Sequence, residues 1–352
     1  MINLKIISKL LVWILILSIH PSMAEPTLDT VNPDHHTDEG FRNYPVVEEG
    51  SDLGIKFYWK RFISSFSHLD VPENHVLPED KAIELYSELR DENTITWIGQ
   101  STLLIKINGV TILTDPYFSK LASPVIVGPE RFVAPGISAE ALPNIDIILI
   151  SHNHYDHLDE DFVENLPNKS DVHVVVPLEL RAFFSERGYS KIHELDWYES
   201  VTLSDIVFSA LPSVHYSGRG VGDKNKALWC SWAISSPVGQ YYFIGDSAYS
   251  PTLFNEIGER FVSFDLAMVT IGTYGNRKYG VNNHTTPEEA VVIGREINAN
   301  ALMGIHWGTI DLSDEDPWEP PKRFLDYATE NGYSSEAVWL MKIGETRRLP
   351  QH

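Results

Sequence analysis

Hydrophobic positions along this chain fall into three regimes. The first is a single run, Leu10–Ile19 (LLVWILILSI), behind Lys5 and Lys9 and ahead of Ser22-Met23-Ala24. A positive start, an apolar centre and small residues at the cleavage positions predict a secretory signal over residues 1–24. The run falls well short of the roughly 20 residues that a membrane span needs, which favours a cleaved signal over an anchor. No cysteine follows it, so lipoprotein processing is excluded. The mature chain is expected to begin near Glu25, in an exported, periplasmic or secreted setting.

The second regime, residues 25–90, is sparse in apolar residues. Residues 25–50 are acidic and broken by Pro and Gly, which predicts an extended arm; His35-His36 within it read as a solvated pair, not a metal site. Ile55–Phe66 (IKFYWKRFISSF) sets Ile55, Tyr58, Trp59, Phe62 and Phe66 at helical spacing, with Lys56, Lys60 and Arg61 between. This predicts a helix packed on the main domain; the alternative is a basic-aromatic helix resting on a membrane surface.

From Thr94 the pattern becomes short β-rich runs. Thr94–Ile98, Leu103–Ile107 and Val110–Thr114 predict a meander, with Asn108-Gly109 as a two-residue hairpin turn. Ile145–Ile150 (IDIILI) is expected to form a strand buried on both faces. Val172–Val176, Ile206–Ala210, Tyr241–Ile244, Leu266–Ile271 and Ala301–Ile305 are further strands. Helices are predicted at Glu179–Glu186 and Thr286–Ile297, the second capped by Thr286 with Pro287 at its first position. Mixed strands and helices without a repeat predict one α/β domain over residues 91–352.

Composition narrows the class. The chain has 352 residues, 43% of them hydrophobic, which excludes a disordered chain. Lys+Arg 27 against Asp+Glu 49 gives a net charge of -22, which argues against sequence-independent binding to nucleic acid. The single cysteine, Cys230, excludes both a disulfide framework and a cysteine-based zinc site; between Trp229 and Trp232 it reads as a buried small residue.

The 14 histidines are concentrated where they matter. Directly after Ile145–Ile150 stands His152-Asn-His154-Tyr-Asp156-His157. His152 and His154, two apart, can point the same way from an extended segment, while Asp156 and His157 follow where the chain turns and can face a second position. Imidazole and carboxylate without thiolate suit zinc and also accept iron or manganese. His215, Asp246 and His306 share the same context, a polar residue just after an apolar run. Together they complete a two-metal set: three histidines on one ion, Asp-His-His on the other and an aspartate between.

These residues carry a resemblance. The H-x-H-x-D-H run with spaced His, Asp and His resembles the metallo-β-lactamase superfamily. TWIGQSTLLI, LTDPYFS, GPERF, ISHNHYDHLD, ELDW, LWCSWA, IGDSAYSP, FDLAMVTIGTY, HTTPEEAV, IHWGT and EPP are similar to its N-acyl-phosphatidylethanolamine-hydrolysing phospholipase D branch, in order from Thr94 to Pro321. The resemblance implies an αβ/βα four-layer sandwich with two zinc ions at the strand ends. It implies His152, His154 and His215 on one zinc, Asp156, His157 and His306 on the other, and Asp246 bridging. His284 matches a histidine that contacts substrate near the metals.

Two metals about 3.5–4 Å apart activate a shared water and clamp a displacement at phosphorus. The expected reaction is therefore phosphodiester hydrolysis of N-acyl-phosphatidylethanolamine or a related phospholipid to phosphatidic acid and N-acylethanolamine. Asp156 orients the nucleophile. His284 positions the substrate or assists the leaving group, or else simply opens the following helix. Two locally basic loops border the site, Tyr216–Leu228 with Arg219, Lys224 and Lys226, and Gly272–Asn283 with Arg277 and Lys278. They are candidate phosphate guides, or else solvated loops. The N-terminal hundred residues carry less of the branch's pattern and are the candidate surface for peripheral membrane or homodimer contacts. A metal-dependent hydrolase of a soluble lactone or small phosphodiester is the alternative, and a non-catalytic binding protein on the same fold is the second.

Overall fold

A computed structural model describes residues 33–46, 69–125 and 128–351. The expected signal over 1–24 and the expected helix Ile55–Phe66 lie outside the described residues. Among the described residues, no helix is long and apolar enough to cross a membrane.

Among the described residues, a 3-10 turn (Pro33–His35) leads into a two-stranded hairpin, β1 (His36–Thr37) and β2 (Gly40–Phe41), and helix α1 (Glu79–Glu88) precedes the first sheet. A first run of strands and helices comprises β3 (Thr94–Gly99), β4 (Thr102–Ile107), β5 (Val110–Thr114), β6 (Ile147–Leu149), α2 (Glu160–Asn165), β7 (His173–Pro177), α3 (Arg181–Ser185) and β8 (Lys191–Leu195). A second comprises β9 (Ser200–Leu203), β10 (Ile206–Leu211), β11 (Ser231–Ser236), β12 (Gly239–Phe243), α4 (Pro251–Arg260), β13 (Leu266–Thr270), α5 (Pro287–Glu296), β14 (Leu302–Ile305), α6 (Pro320–Glu330) and β15 (Val338–Trp339). The last strand, β16 (Thr346–Arg348), returns to the first sheet.

Two seven-stranded sheets result, ordered β16-β3-β4-β5-β6-β7-β8 and β15-β14-β13-β12-β11-β10-β9. Each is antiparallel over one half and parallel over the other, with β5 and β12 at the changeover. Alternation along the strands explains the layers. Ile98, Leu104, Leu113, Ile148, Val174 and Val176 pack with Ala82 of α1, Phe162 and Val163 of α2 and Phe184 of α3. The intervening residues, among them Leu103, Ile105, Ile112, Leu149 and Val175, are equally buried and face the second sheet. The Trp232 indole donates to the Ile150 carbonyl (2.9 Å) and ties the two sheets. Helix α5 lies on β13 and contacts α4 and α6, covering the second sheet's outer face. The architecture is the αβ/βα sandwich that the resemblance implied.

All nine strands read from the hydrophobic pattern are present, with ends shifted by a residue or two. Asn108 and Gly109 have φ of 50° and 83°, as a type I′ hairpin turn demands. The pattern does not disclose β8, β9 or β11. KIHEL and SVTL are half-exposed edge strands, and SWAISS mixes serines into a buried strand. Helix α3 covers only Arg181–Ser185 of the expected Glu179–Glu186, because Glu179 sits at φ 70° and breaks the turn. Cys230 is buried, as expected, and burial pushes its thiol well up.

Helix α5 begins as its sequence indicates. The Thr286 hydroxyl accepts from the Glu289 N–H while the Glu289 carboxylate accepts from the Thr286 N–H, closing a capping box. Thr286→Ala is expected to cost about 1 kcal/mol, read as a lower urea midpoint at unchanged m-value.

Candidate metal centre

Each ligand candidate stands on the loop that leaves a buried strand. His152, His154, Asp156 and His157 follow β6; His215 follows β10, Asp246 follows β12 and His306 follows β14. The first sheet therefore supplies four of these side chains and the second sheet three. All are buried except half-buried His154.

The side chains converge as two sets. Facing atoms of His152, His154, His215 and Asp246 lie within 4.8 Å of one another, as do those of Asp156, His157 and His306. In the first set, His152 Nε2 is 2.9 Å and His215 Nε2 3.3 Å from His154 Nδ1, and both are 3.7 Å from Asp246 Oδ2. In the second, Asp156 Oδ2 is 3.5 Å from His157 Nε2 and 3.4 Å from His306 Nε2. Asp246 also reaches this set, with Oδ2 3.0 Å from His157 Nε2 and Oδ1 3.3 Å from His306 Nε2. Donors on one tetrahedral zinc, each about 2.0–2.1 Å from the ion, stand about 3.3 Å apart. The observed spacings bracket that value, and Asp246 faces both positions.

Hydrogen bonding and charge fit a metal as well. His157 Nε2, Asp246 Oδ1 and His284 Nδ1 are buried without a hydrogen-bond partner. Burial holds most of the imidazoles neutral, His154 at about 3, His215 at about 4 and His152 well below the usual range. Neutral imidazole is the ligating form. Burial also opposes the charges on Asp156 and Asp246, yet facing histidines keep both carboxyls well below their ordinary range. His157 shows the counterpart: burial lowers it, but Asp246, Asp156 and Asp115 outweigh burial and hold it high. Buried carboxylates need a matching cation, which a protonated ring such as His157 or a bound metal ion can supply.

The far nitrogens of the rings are fixed by neighbours, which selects the tautomer. His157 Nδ1 donates to Asp115 Oδ2 (2.7 Å), His215 Nδ1 to the Asn283 carbonyl (2.9 Å), and His152 Nδ1 to Ser151 Oγ (2.9 Å). Thr273 Oγ1 stands 3.3 Å from His306 Nδ1. Two of these supports, Asp115 and Gln100, escape the sequence reading. Asp115 also accepts from the Ser151 N–H and hydroxyl, and Gln100 Nε2 donates to Asp156 Oδ2 (2.9 Å) beside His306 Nε2 (2.8 Å). Asp115 directly follows the apolar strand β5, the context that singles out Asp246, so the same criterion finds it. Gln100 sits in a β-turn with nothing local to mark it. Gln100, Asp115, Thr273 and His306 all have positive φ, between 33° and 66°, and such backbone is concentrated at functional sites.

His284 joins the centre. Its ring is 5.2 Å from those of His215 and His306, and Nδ1 lies 3.8 Å from Asp246 Oδ1. The basic residues of the two loops are placed differently. Arg219 stacks on Tyr155 and donates to the Asn153 and Leu158 carbonyls; Arg277 binds Glu289 and the His284 carbonyl; Lys278 pairs with Asp314. These contacts tie all three side chains to the protein's own carbonyls and carboxylates. Lys224 is exposed.

Asp115→Asn removes an anionic acceptor from His157. It is expected to weaken metal binding about 10–100-fold, measured by chelator competition, while leaving the fold visible in circular dichroism.

Comparison with known proteins agrees with this geometry. The family described as "Beta-lactamase superfamily domain" matches residues 110–307. An N-acyl-phosphatidylethanolamine-hydrolyzing phospholipase D from Caenorhabditis elegans is 34% identical over 290 residues, covering 78% of this chain and 81% of that protein. A mitochondrial enzyme of the same name from Saccharomyces cerevisiae is also 34% identical, over 71% of this chain and 55% of its own length. Among solved structures, an isothiocyanate hydrolase from Delia radicum gut bacteria matches with TM-score 0.58 at 18% identity, over 73% of this chain and 99% of that one. It shares the fold. By sequence, fold and ligand set, the chain belongs to the metallo-β-lactamase superfamily of metal-dependent hydrolases, in its N-acyl-phosphatidylethanolamine-hydrolysing phospholipase D branch.

Proposed function

We propose that the protein is a binuclear zinc phosphodiesterase of phospholipase D type. Its substrate is N-acyl-phosphatidylethanolamine or a related phospholipid, hydrolysed to phosphatidic acid and N-acylethanolamine. The observation that carries the reading is Asp246, which faces two separate ligand sets at once; two relatives named for this reaction support the substrate class. Bound there, a metal pair supplies Lewis acidity that makes water nucleophilic and neutralises charge developing at phosphorus.

The chain's own groups complete the chemistry. Gln100 and the second ligand set engage Oδ2 of Asp156, which leaves Oδ1 to orient the attacking water. Water oxygen bonds to phosphorus as the bond from phosphorus to the ethanolamine oxygen breaks. His284 is kept neutral by burial and has an unpartnered Nδ1 aimed at the centre, so it can take a proton from water and return one to the leaving oxygen. Arg277 and the capped helix α5 hold it there. In this reading the chain is exported through its N-terminal signal and meets lipid peripherally, and the strongly acidic surface confines that contact to a small area.

Hydrolysis of N-acyl-phosphatidylethanolamine vesicles is expected to release phosphatidic acid, with a lactone and a small soluble phosphodiester as parallel substrates. Turnover of only the soluble substrates would move the reading to a soluble-substrate hydrolase, and turnover of none to a binding protein. His284→Ala is expected to keep both metals by elemental analysis and to lose about 10²-fold in kcat. His154→Ala and Asp246→Ala are expected to lose metal along with activity.

A further inference from the structure

The segment Asp34–Val46 precedes the matched family domain, yet it is built into the metal centre. Its anchor is a double clasp. His35 Nε2 and His36 Nε2 each stand 2.7 Å from a different oxygen of the buried Asp196 carboxylate. The His35 ring stacks on Trp197 at 4.2 Å and is fully buried, which replaces the expected solvated pair. These donor spacings are hydrogen-bond lengths, so the cluster fastens the segment to the protein.

From the clasp the segment crosses the loop that carries His215. The Phe41 N–H donates to the Asn225 carbonyl (2.8 Å), and Lys226 Nζ donates to the Glu39 carbonyl. Gly40, at φ 146°, lies so close that a Cβ there would sit 2.1 Å from the Asn225 oxygen. Three residues on, Asn43 reaches the ligand itself. Its Oδ1 accepts from the His215 N–H (3.0 Å) and its Nδ2 donates to the His215 carbonyl (2.9 Å). Trp229 Nε1 donates to the same Oδ1 (3.2 Å) and to the Ser213 carbonyl (2.9 Å). Trp197, beneath His35, donates to the Trp229 carbonyl (2.7 Å). One amide therefore satisfies both backbone groups of His215, while the Asn283 carbonyl orients its ring.

We propose that Asn43 is a positioning residue for the first metal position, fixing the backbone of His215 through a strap that the His35/His36–Asp196 clasp holds in place. A segment outside the matched family domain thus sets the geometry and affinity of one of the two metal positions. This rests on the reading of His215 as a metal ligand.

The full chain loaded with Co(II) separates the two ideas. His154→Ala tests the ligand reading: it is expected to lose one metal per chain, and unchanged stoichiometry would remove the first position altogether. Asn43→Ala tests the strap. It is expected to weaken one of the two cobalt ions about 10-fold in chelator competition and to alter its visible absorption, with the second ion unaffected. Asn43→Asp keeps the size and the acceptor for the His215 N–H but loses the donor to its carbonyl, so a smaller shift in the same direction is expected. It also stands in if the alanine variant does not fold. Wild-type cobalt affinity and spectrum in the Asn43 variants, or equal weakening of both ions alongside a lower melting temperature of the metal-free protein, would overturn the proposal.

Discussion

Everything in this molecule is arranged around two buried carboxylates, Asp156 and Asp246, held ionised among histidines. Removing such charges from water costs several kcal/mol each unless they are matched in place. Among the described residues, imidazoles surround them, backed by hydrogen-bond partners such as Gln100 and Asp115. That composition suits a metal cation as the matching charge, with a protonated His157 filling the role in its absence. It explains why the supporting residues are so constrained: Asp115, Gln100, Thr273 and His306 occupy left-handed backbone, at a cost of order 1–3 kcal/mol per strained residue. The sheets on either side absorb that cost through cores of fully buried aliphatic side chains.

Legibility from sequence followed the physics of each element. Strands buried on both faces announce themselves as apolar runs, so β3 to β7 and β12 to β14 stand out, while edge strands such as Ser200–Leu203 carry polar residues and merge with loops. Ligands that directly follow such runs were readable for the same reason, and Asp115 was readable by the same rule. Support that comes from distant chain was not. Gln100 reaches Asp156 across 56 positions, and Asn43 reaches His215 across 172. Neither has any local periodicity to betray it, because a single amide in a turn looks the same whether or not it meets a partner.

Charge also takes its meaning from the fold. Arg219, Arg277 and Lys278 look like a phosphate funnel in a chain of net charge -22. In the fold, each cation meets a carbonyl or carboxylate of its own protein. Basic residues beside an acidic site are first of all its loop fasteners. His35 and His36 make the converse case: in a polar, Pro-broken stretch they look idle, yet they share one buried carboxylate.

The division of ligands between the two sheets has a further consequence. Each candidate ligand set draws on separate, internally hydrogen-bonded layers, so metal bound there would cross-link halves of the protein. Ligation energy is then also cohesion energy, by mass action on the folded state. An environment poor in metal would loosen the seam as well as silence the chemistry, and the two losses would share one concentration scale. Supply of the ion would then set how long the protein survives.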